Sequence, residues 1–169
     1  FDLQLKTPYV ERLVTAALDA YVQERRRVLV DEDEKPEAQE ELGISMEQLQ
    51  GMVYRLLETC CEEGKYDHAL GIALEAQETN KLRDILMSSG SDAALLKYAL
   101  QSSITIVSSK SFRQEALAVI AECLTKQLDS RKIASVDLIV VYQLLGKPES
   151  VADVLANLIN GSSEDALLG

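Results

Sequence analysis

The sequence predicts an all-α protein, a superhelix of antiparallel helical hairpins. Three observations support this fold class. Apolar residues recur at three- and four-residue steps along most of the 169 residues, very short turns join consecutive apolar runs, and hairpin-type strand signals are absent. The hydrophobic content of 47% is enough for a continuous core, so we expect a single helical-repeat domain over residues 1–169. Because the first residue is Phe1, we also expect a fragment of a longer chain.

The clearest element is a helical hairpin between Met46 and Ala76. A capping box of Ser45 and Gln48 opens the first helix, and Gly64 ends it. Because the connecting turn is so short, the two helices must pack antiparallel, and small residues on the second helix allow a close approach. The predicted contact faces are Leu49, Met52, Val53, Leu56, Leu57 and Cys60 on the first helix and Tyr66, Ala69, Leu70, Ala73 and Leu74 on the second.

A long helix is predicted before this hairpin, from Thr7–Pro8 as far as the basic triplet Arg25–Arg27. Its face carries Val10, Leu13, Val14, Ala17, Leu18, Tyr21 and Val22. We interpret the triplet mainly as charge compensation at the helix C-terminus. Residues 31–43 are expected to be an acidic flexible linker, because Asp31–Glu41 holds seven acids, one lysine and almost no apolar residue.

Three helices are predicted to follow the hairpin. The first covers Thr79–Ser88. The second is capped by Ser91, and the third opens with a capping box of Ser111 and Gln114 and continues to about residue 126 or 128. Their faces are Leu82, Ile85 and Leu86; then Leu96, Ala99, Leu100, Ser103, Ile104 and Val107; then Phe112, Ala116, Leu117, Ile120, Ala121, Leu124 and Leu128.

The segment Ile133–Leu145 is ambiguous, because its central Ile139–Tyr142 would suit a buried strand. We predict a helix, since a lone strand would have no partner, and a helix that is apolar all round is typical of an inner, doubly covered position. Pro148 begins the next helix, which is expected to end at Asn160–Gly161, with a fresh helix capped by Ser162 or Ser163. The face of the Pro148 helix is Val151, Val154, Leu155, Leu158 and Ile159.

Cys60, Cys61 and His68 form the cluster with the most metal-like composition. Adjacent helical residues point about 100 degrees apart, so the two cysteines cannot both reach one ion, and no CxxC or HxxxH spacing is present. A catalytic system would have to use His68, without a Gly-rich phosphate loop or a serine in a strained turn. We therefore expect no catalytic, cofactor-binding or metal-binding residues and no enzymatic activity.

Charge and composition exclude several partners. The net charge of −11 argues against nucleic acid or an anionic membrane, which reward clustered Lys and Arg. No apolar run approaches the ~18 to 20 residues of a membrane span. Three cysteines without framework spacing agree with a reducing compartment, so cytoplasm and nucleus are the expected locations.

The turns indicate a loose repeat. Gly64–Tyr66, Lys110–Phe112 and Gly146–Pro148 each join two helices through a short lysine-containing turn. Their spacing of roughly 36 to 46 residues is typical of solenoids of helical hairpins, such as tetratricopeptide-like repeats.

The stretch Gly64–Ala76, GKYDHALGIALEA, resembles the hairpin in the N-terminal helical rod of the largest non-ATPase regulatory subunit of the 26S proteasome, a family of toroid-forming scaffold subunits with PC repeats. Further segments resemble their counterparts in the same order: Tyr9–Glu11, Ser111–Arg113, Pro148–Leu155 and Glu164–Leu168. The resemblance covers essentially the whole chain.

The resemblance implies a non-catalytic scaffold in the regulatory particle, whose partners are lid and ATPase-ring subunits. It assigns no partner-binding residue and gives no function to the acidic linker. The main alternative is a peptide-binding or coat-type helical-repeat adaptor, which would share the fold. A peptide clamp would need Lys, Arg and Asn at regular repeat positions, and the sequence shows no such cluster.

Overall fold

The computed structural model describes residues 8–30, 45–128 and 134–167, and every regular element in these ranges is an α-helix. The predicted all-α fold class is therefore confirmed. The helices are α1 Pro8–Val30, α2 Met46–Glu62, α3 Tyr66–Glu75, α4 Thr79–Ser88, α5 Ala93–Thr105, α6 Lys110–Leu128, α7 Ala134–Leu144 and α8 Pro148–Leu167.

The chain divides into two compact units, Phe1–Glu78 and Thr79–Gly169. Whether residues 1–169 fold as a single domain stays a prediction. The predicted linker, residues 31–43, lies outside the described ranges.

In the first unit, α1 packs on α2 and α2 packs on α3. The turn between α2 and α3 follows from Gly64, whose φ of 73° is a left-handed conformation that glycine adopts without a Cβ clash. Across this turn the Lys65 N–H donates to the Cys60 carbonyl at 2.8 Å, which closes the helix end. The predicted hairpin is confirmed, with Ala69 and Ala73 both fully buried. Its buried apolar residues are Leu49, Val53, Leu57, Ala69, Leu70, Ala73, Leu74 and Ala76.

In the second unit, α6 is the central helix, because α4, α5 and α7 all pack against it. Its sides are buried in several directions, including Val119 and Cys123, which the sequence pattern did not assign to the core. The buried apolar set of this unit is Leu82, Ile85, Leu86, Leu95, Leu96, Ala99, Leu100, Val107, Phe112, Ala116, Leu117, Val119, Ile120, Ala121, Cys123, Leu124, Leu138, Val141 and Val154.

Two predicted helix starts are wrong by one or two residues. Asp92, not Ser91, caps α5, and its carboxylate accepts from the Leu95 N–H at 3.1 Å. Ser91 instead has a φ of 55°, in the left-handed region, and belongs to the preceding turn. Helix α6 begins at Lys110, before the predicted Ser111 capping box, and Ser109 precedes it.

Helix α7 confirms the prediction of a helix over a strand. The prediction that neighbouring helices cover α7 on all sides is wrong. Leu138 and Val141 are buried, whereas Val136, Val140 and Leu144 are exposed. The physical reason is that α7 packs chiefly on α6 and α8, so among the described helices the inner, covered position belongs to α6. Ile133 lies outside the described residues.

Helix α8 continues through residues 160–163 to Leu167, so the predicted stop at Asn160–Gly161 and the fresh start at Ser162 or Ser163 are wrong. A glycine inside a helix costs only about 1 kcal/mol relative to alanine, which the surrounding helix tolerates. Leu155 and Ile159 of α8 and Ile104 of α5 are exposed, although the apolar periodicity predicts them on packed faces.

Candidate functional site

A buried carboxylate joins three parts of the first unit. Glu78, two residues beyond the C-cap of α3, accepts a hydrogen bond from the Tyr21 hydroxyl of α1 at Oε1. Its Oε2 accepts from the Tyr54 hydroxyl of α2 at 3.1 Å. Gln50 Nε2 donates to the Tyr54 oxygen at 3.1 Å and to the Tyr21 oxygen at 3.5 Å. One polar network therefore connects α1, α2 and the end of α3.

Arg25 extends this network along α1. Its Nη2 donates to the Gln77 carbonyl at 3.2 Å, and its Nε lies 3.6 Å from Glu78 Oε1, an ion pair longer than a hydrogen bond. Gln77 has a φ of 56°, a left-handed residue in the turn that carries Glu78. We call Tyr21, Arg25, Gln50, Tyr54, Gln77 and Glu78 the Glu78 cluster.

The electrostatics of the cluster keep both phenols protonated. Burial raises the pKa of Tyr21 well above its ordinary value, and the hydrogen bond to Glu78 adds to the shift. Burial likewise raises the pKa of Tyr54, with the negative charge of Glu78 as the next cause. Phenols that hold their protons at neutral pH serve as hydrogen-bond donors and not as bases. The arrangement therefore suits helix positioning.

Sequence reasoning placed Tyr21 on a packed helix face and did not single out Glu78. The two residues are 57 positions apart, so no local spacing connects them. The sequence signal for Glu78 was weak: it is a carboxylate that follows closely after the end of a predicted helix.

Cys60, Cys61 and His68 are not brought together into a buried site. The side chain of His68 is 69% exposed, and both cysteines are half-buried. Burial, followed by the neighbouring Cys61, raises the pKa of Cys60, which disfavours the reactive thiolate. In the part of the chain that the structure describes, no group of three or more His, Cys, Asp or Glu side chains could hold a metal ion.

Apolar side chains lie exposed at four-residue steps on α7 and α8. Val136, Val140 and Leu144 follow one side of α7, and Leu155 and Ile159 follow one side of α8. Ile159 and Val136 are the most exposed, at 68% and 65%. Aligned apolar side chains in water are typical of surfaces that pack against other protein elements. No helix in the described ranges is both long and apolar enough to cross a membrane.

These features define a class of protein: a helical-repeat segment with a structural polar network and apolar helix faces suited to packing. The family described as "26S proteasome subunit RPN2, N-terminal domain" matches residues 1–168. The chain belongs to this family.

Curated relatives agree with the family assignment. The chain is 29% identical to the 26S proteasome non-ATPase regulatory subunit 1 of Drosophila melanogaster over 97% of its length. It is 28% identical to homolog A of that subunit in Arabidopsis thaliana over 99% of its length. It is 28% identical to the 26S proteasome regulatory subunit RPN2 of Saccharomyces cerevisiae over 69% of its own length. The chain spans 15%, 16% and 13% of the lengths of these three proteins.

Proposed function

We propose that this chain is a non-catalytic scaffold segment of the proteasome regulatory particle, where it mediates protein–protein assembly in ubiquitin-dependent protein degradation. The observation that carries the proposal is the family match over residues 1–168. The relatives are named as regulatory, non-ATPase subunits of the 26S proteasome, which supports a role without catalysis.

The physical features of the chain support assembly over catalysis. Within each unit the helices pack on one another and bury apolar side chains. In the Glu78 cluster, both tyrosine hydroxyls keep their protons and donate to the carboxylate. Additional apolar side chains on α7 and α8 face solvent. Such faces suit packing against further protein.

The proposed partners are other regulatory-particle subunits, those of the lid and the ATPase ring. Nucleic acid and membranes are not among them, in keeping with a net charge of −11. The proposed locations are the cytoplasm and the nucleus.

Affinity purification tests this proposal. The full-length protein is tagged at one end, isolated from its own cells, and its co-purifying proteins are quantified by mass spectrometry, with the tag alone as control. We expect lid and ATPase-ring subunits in near-stoichiometric amounts. Recovery of the tagged protein without proteasome subunits would contradict the proposal.

The second candidate is a peptide-binding or coat-type helical-repeat adaptor outside the proteasome. The fold is compatible with it, because helical hairpins serve both functions. The family match favours the proteasome. In the same purification, an adaptor would bring down vesicle-coat components or peptide-bearing clients in place of regulatory-particle subunits.

A further inference from the structure

Helix α1 is attached to the first unit at two places. Its apolar side packs on α2, where Ala17 and Val22 are buried. Its polar side chains reach further: Tyr21 and Arg25 contact residues 77–78, beyond the end of α3. The Glu78 cluster is therefore the second attachment of α1.

The described part of α1 has its own apolar contacts. Among its described side chains, Ala17, Tyr21 and Val22 are buried, and Val14 and Leu18 are half-buried. Helices α2 and α3 are joined in addition by the tight turn at Gly64. An element that loses tertiary contacts opens at lower free energy.

The polar attachment is incompletely satisfied. Arg25 Nε and Gln77 Oε1 are buried, and neither has a hydrogen-bond partner within the described part of the chain. A buried polar group without a partner favours any state in which water reaches it. The packing of α1 against residues 77–78 therefore depends on the hydrogen bonds and the ion pair that Glu78 makes.

We propose that the Glu78 cluster is a latch that holds α1 on the α2–α3 hairpin, and that α1 leaves as a unit when the latch breaks. The carboxylate is the shared acceptor for both tyrosines, so a change at this one group loosens the bonds to α1 and α2 together. Release of α1 uncovers the part of α2 against which it packs.

Hydrogen exchange with mass spectrometry on the intact chain tests the latch. Glu78→Gln and Tyr21→Phe are compared with the parent, and Tyr98→Phe, at an exposed tyrosine of α5, is the matched control. We expect amides of residues 12–25 to exchange about tenfold faster or more in both latch variants. Amides of residues 69–74 and 95–103 should change by less than about twofold, and the control should leave all three groups within that range.

Two outcomes would overturn the latch. Unchanged exchange in α1 would show that its apolar contacts suffice. Equal acceleration of α1 and α3 would show that the cluster is one part of a single cooperative core. If Glu78→Gln does not fold, Tyr54→Phe, which removes one hydroxyl from Glu78 and keeps the ring, is read by the same criteria.

Discussion

Ala73 shows how a small side chain can set the packing of a helix pair. It is fully buried in α3, on the side that carries Ala69 and Leu70. We expect Ala73→Leu to overpack this position and to lower the free energy of unfolding by about 1 to 3 kcal/mol. Denaturant melts measure the change. The matched control is His68→Ala on the exposed side, expected to stay within about 0.5 kcal/mol; an equal loss in both variants would contradict the packing argument.

The buried Tyr21 and the half-buried Tyr54 predict a loss of stability in alkali. Folding raises the pKa of Tyr21 above the ordinary 10.0 and raises that of Tyr54 as well. The unfolded chain therefore releases these protons first as the pH rises. Their contribution is fully present below pH 10.0 and is lost progressively above it.

Unfolding free energies at about pH 8 and about pH 10.5 check this prediction. The decrease should be smaller in Tyr21→Phe than in the parent, because the variant lacks one of the shifted groups. Tyr98→Phe, at an exposed tyrosine, should retain the full decrease. A parent and a Tyr21→Phe variant with identical pH dependence would argue against the buried hydroxyl.

At the scale of helices and turns, two glycines should respond to alanine with opposite signs. Gly64 has a φ of 73° in the α2–α3 turn, where a Cβ is strained, so Gly64→Ala should destabilise by about 1 kcal/mol. Gly51 lies inside α2, where an added Cβ would meet no atom within 4 Å outside its own stretch of helix, so Gly51→Ala should stabilise by about 0.5 to 1 kcal/mol. Thermal and urea melts of both variants decide; a common sign would refute the turn geometry.

The two sides of α7 should differ in their tolerance of truncation. Leu138 is 1% exposed, and Leu138→Ala should cost about 2 to 5 kcal/mol. Leu144 is exposed, and Leu144→Ala should change stability by less than about 1 kcal/mol. Urea melts measure the free energy of unfolding of both variants. Comparable decreases would instead support a helix α7 that is covered on all sides.

Local pattern predicted the helices well, because a packed helix repeats its apolar residues every three or four positions. The hairpin from Met46 to Ala76 and the helix start at Pro148 agree with the structure for this reason. The predicted end of α8 is wrong because Gly161, a residue type that often ends a helix, lies inside this one.

Contacts between distant residues were beyond the same reasoning. Helical spacing identifies an apolar face, but not which face a neighbour covers, so Val140 and Ile159 were wrongly assigned to packed positions. The Glu78 cluster is formed by side chains from separate helices, and no repeating pattern in the sequence indicates which of them come into contact.

For the whole molecule, the formal net charge of −11 is unevenly distributed along the sequence. Asp31–Glu41 alone contributes seven acids. Sequence composition predicts the first proteolytic cuts between Asp31 and Leu42, because this stretch is rich in acids and has almost no apolar residues. A brief digestion with a glutamate-specific protease, followed by mass spectrometry, should show this order. Earlier cleavage within residues 46–76 would contradict it.

The positions of the three thiols make the chain its own reporter of folding. Cys123 lies almost entirely buried in the second unit, where burial raises its pKa, while Cys60 and Cys61 are half-buried in the first. An alkylating reagent reacts with the thiolate of a cysteine that it can reach. The rate of alkylation of Cys123, followed by mass spectrometry, is therefore set by how often the second unit opens. Cys60 and Cys61, half-buried in the first unit, are the more accessible reference thiols in the same reaction.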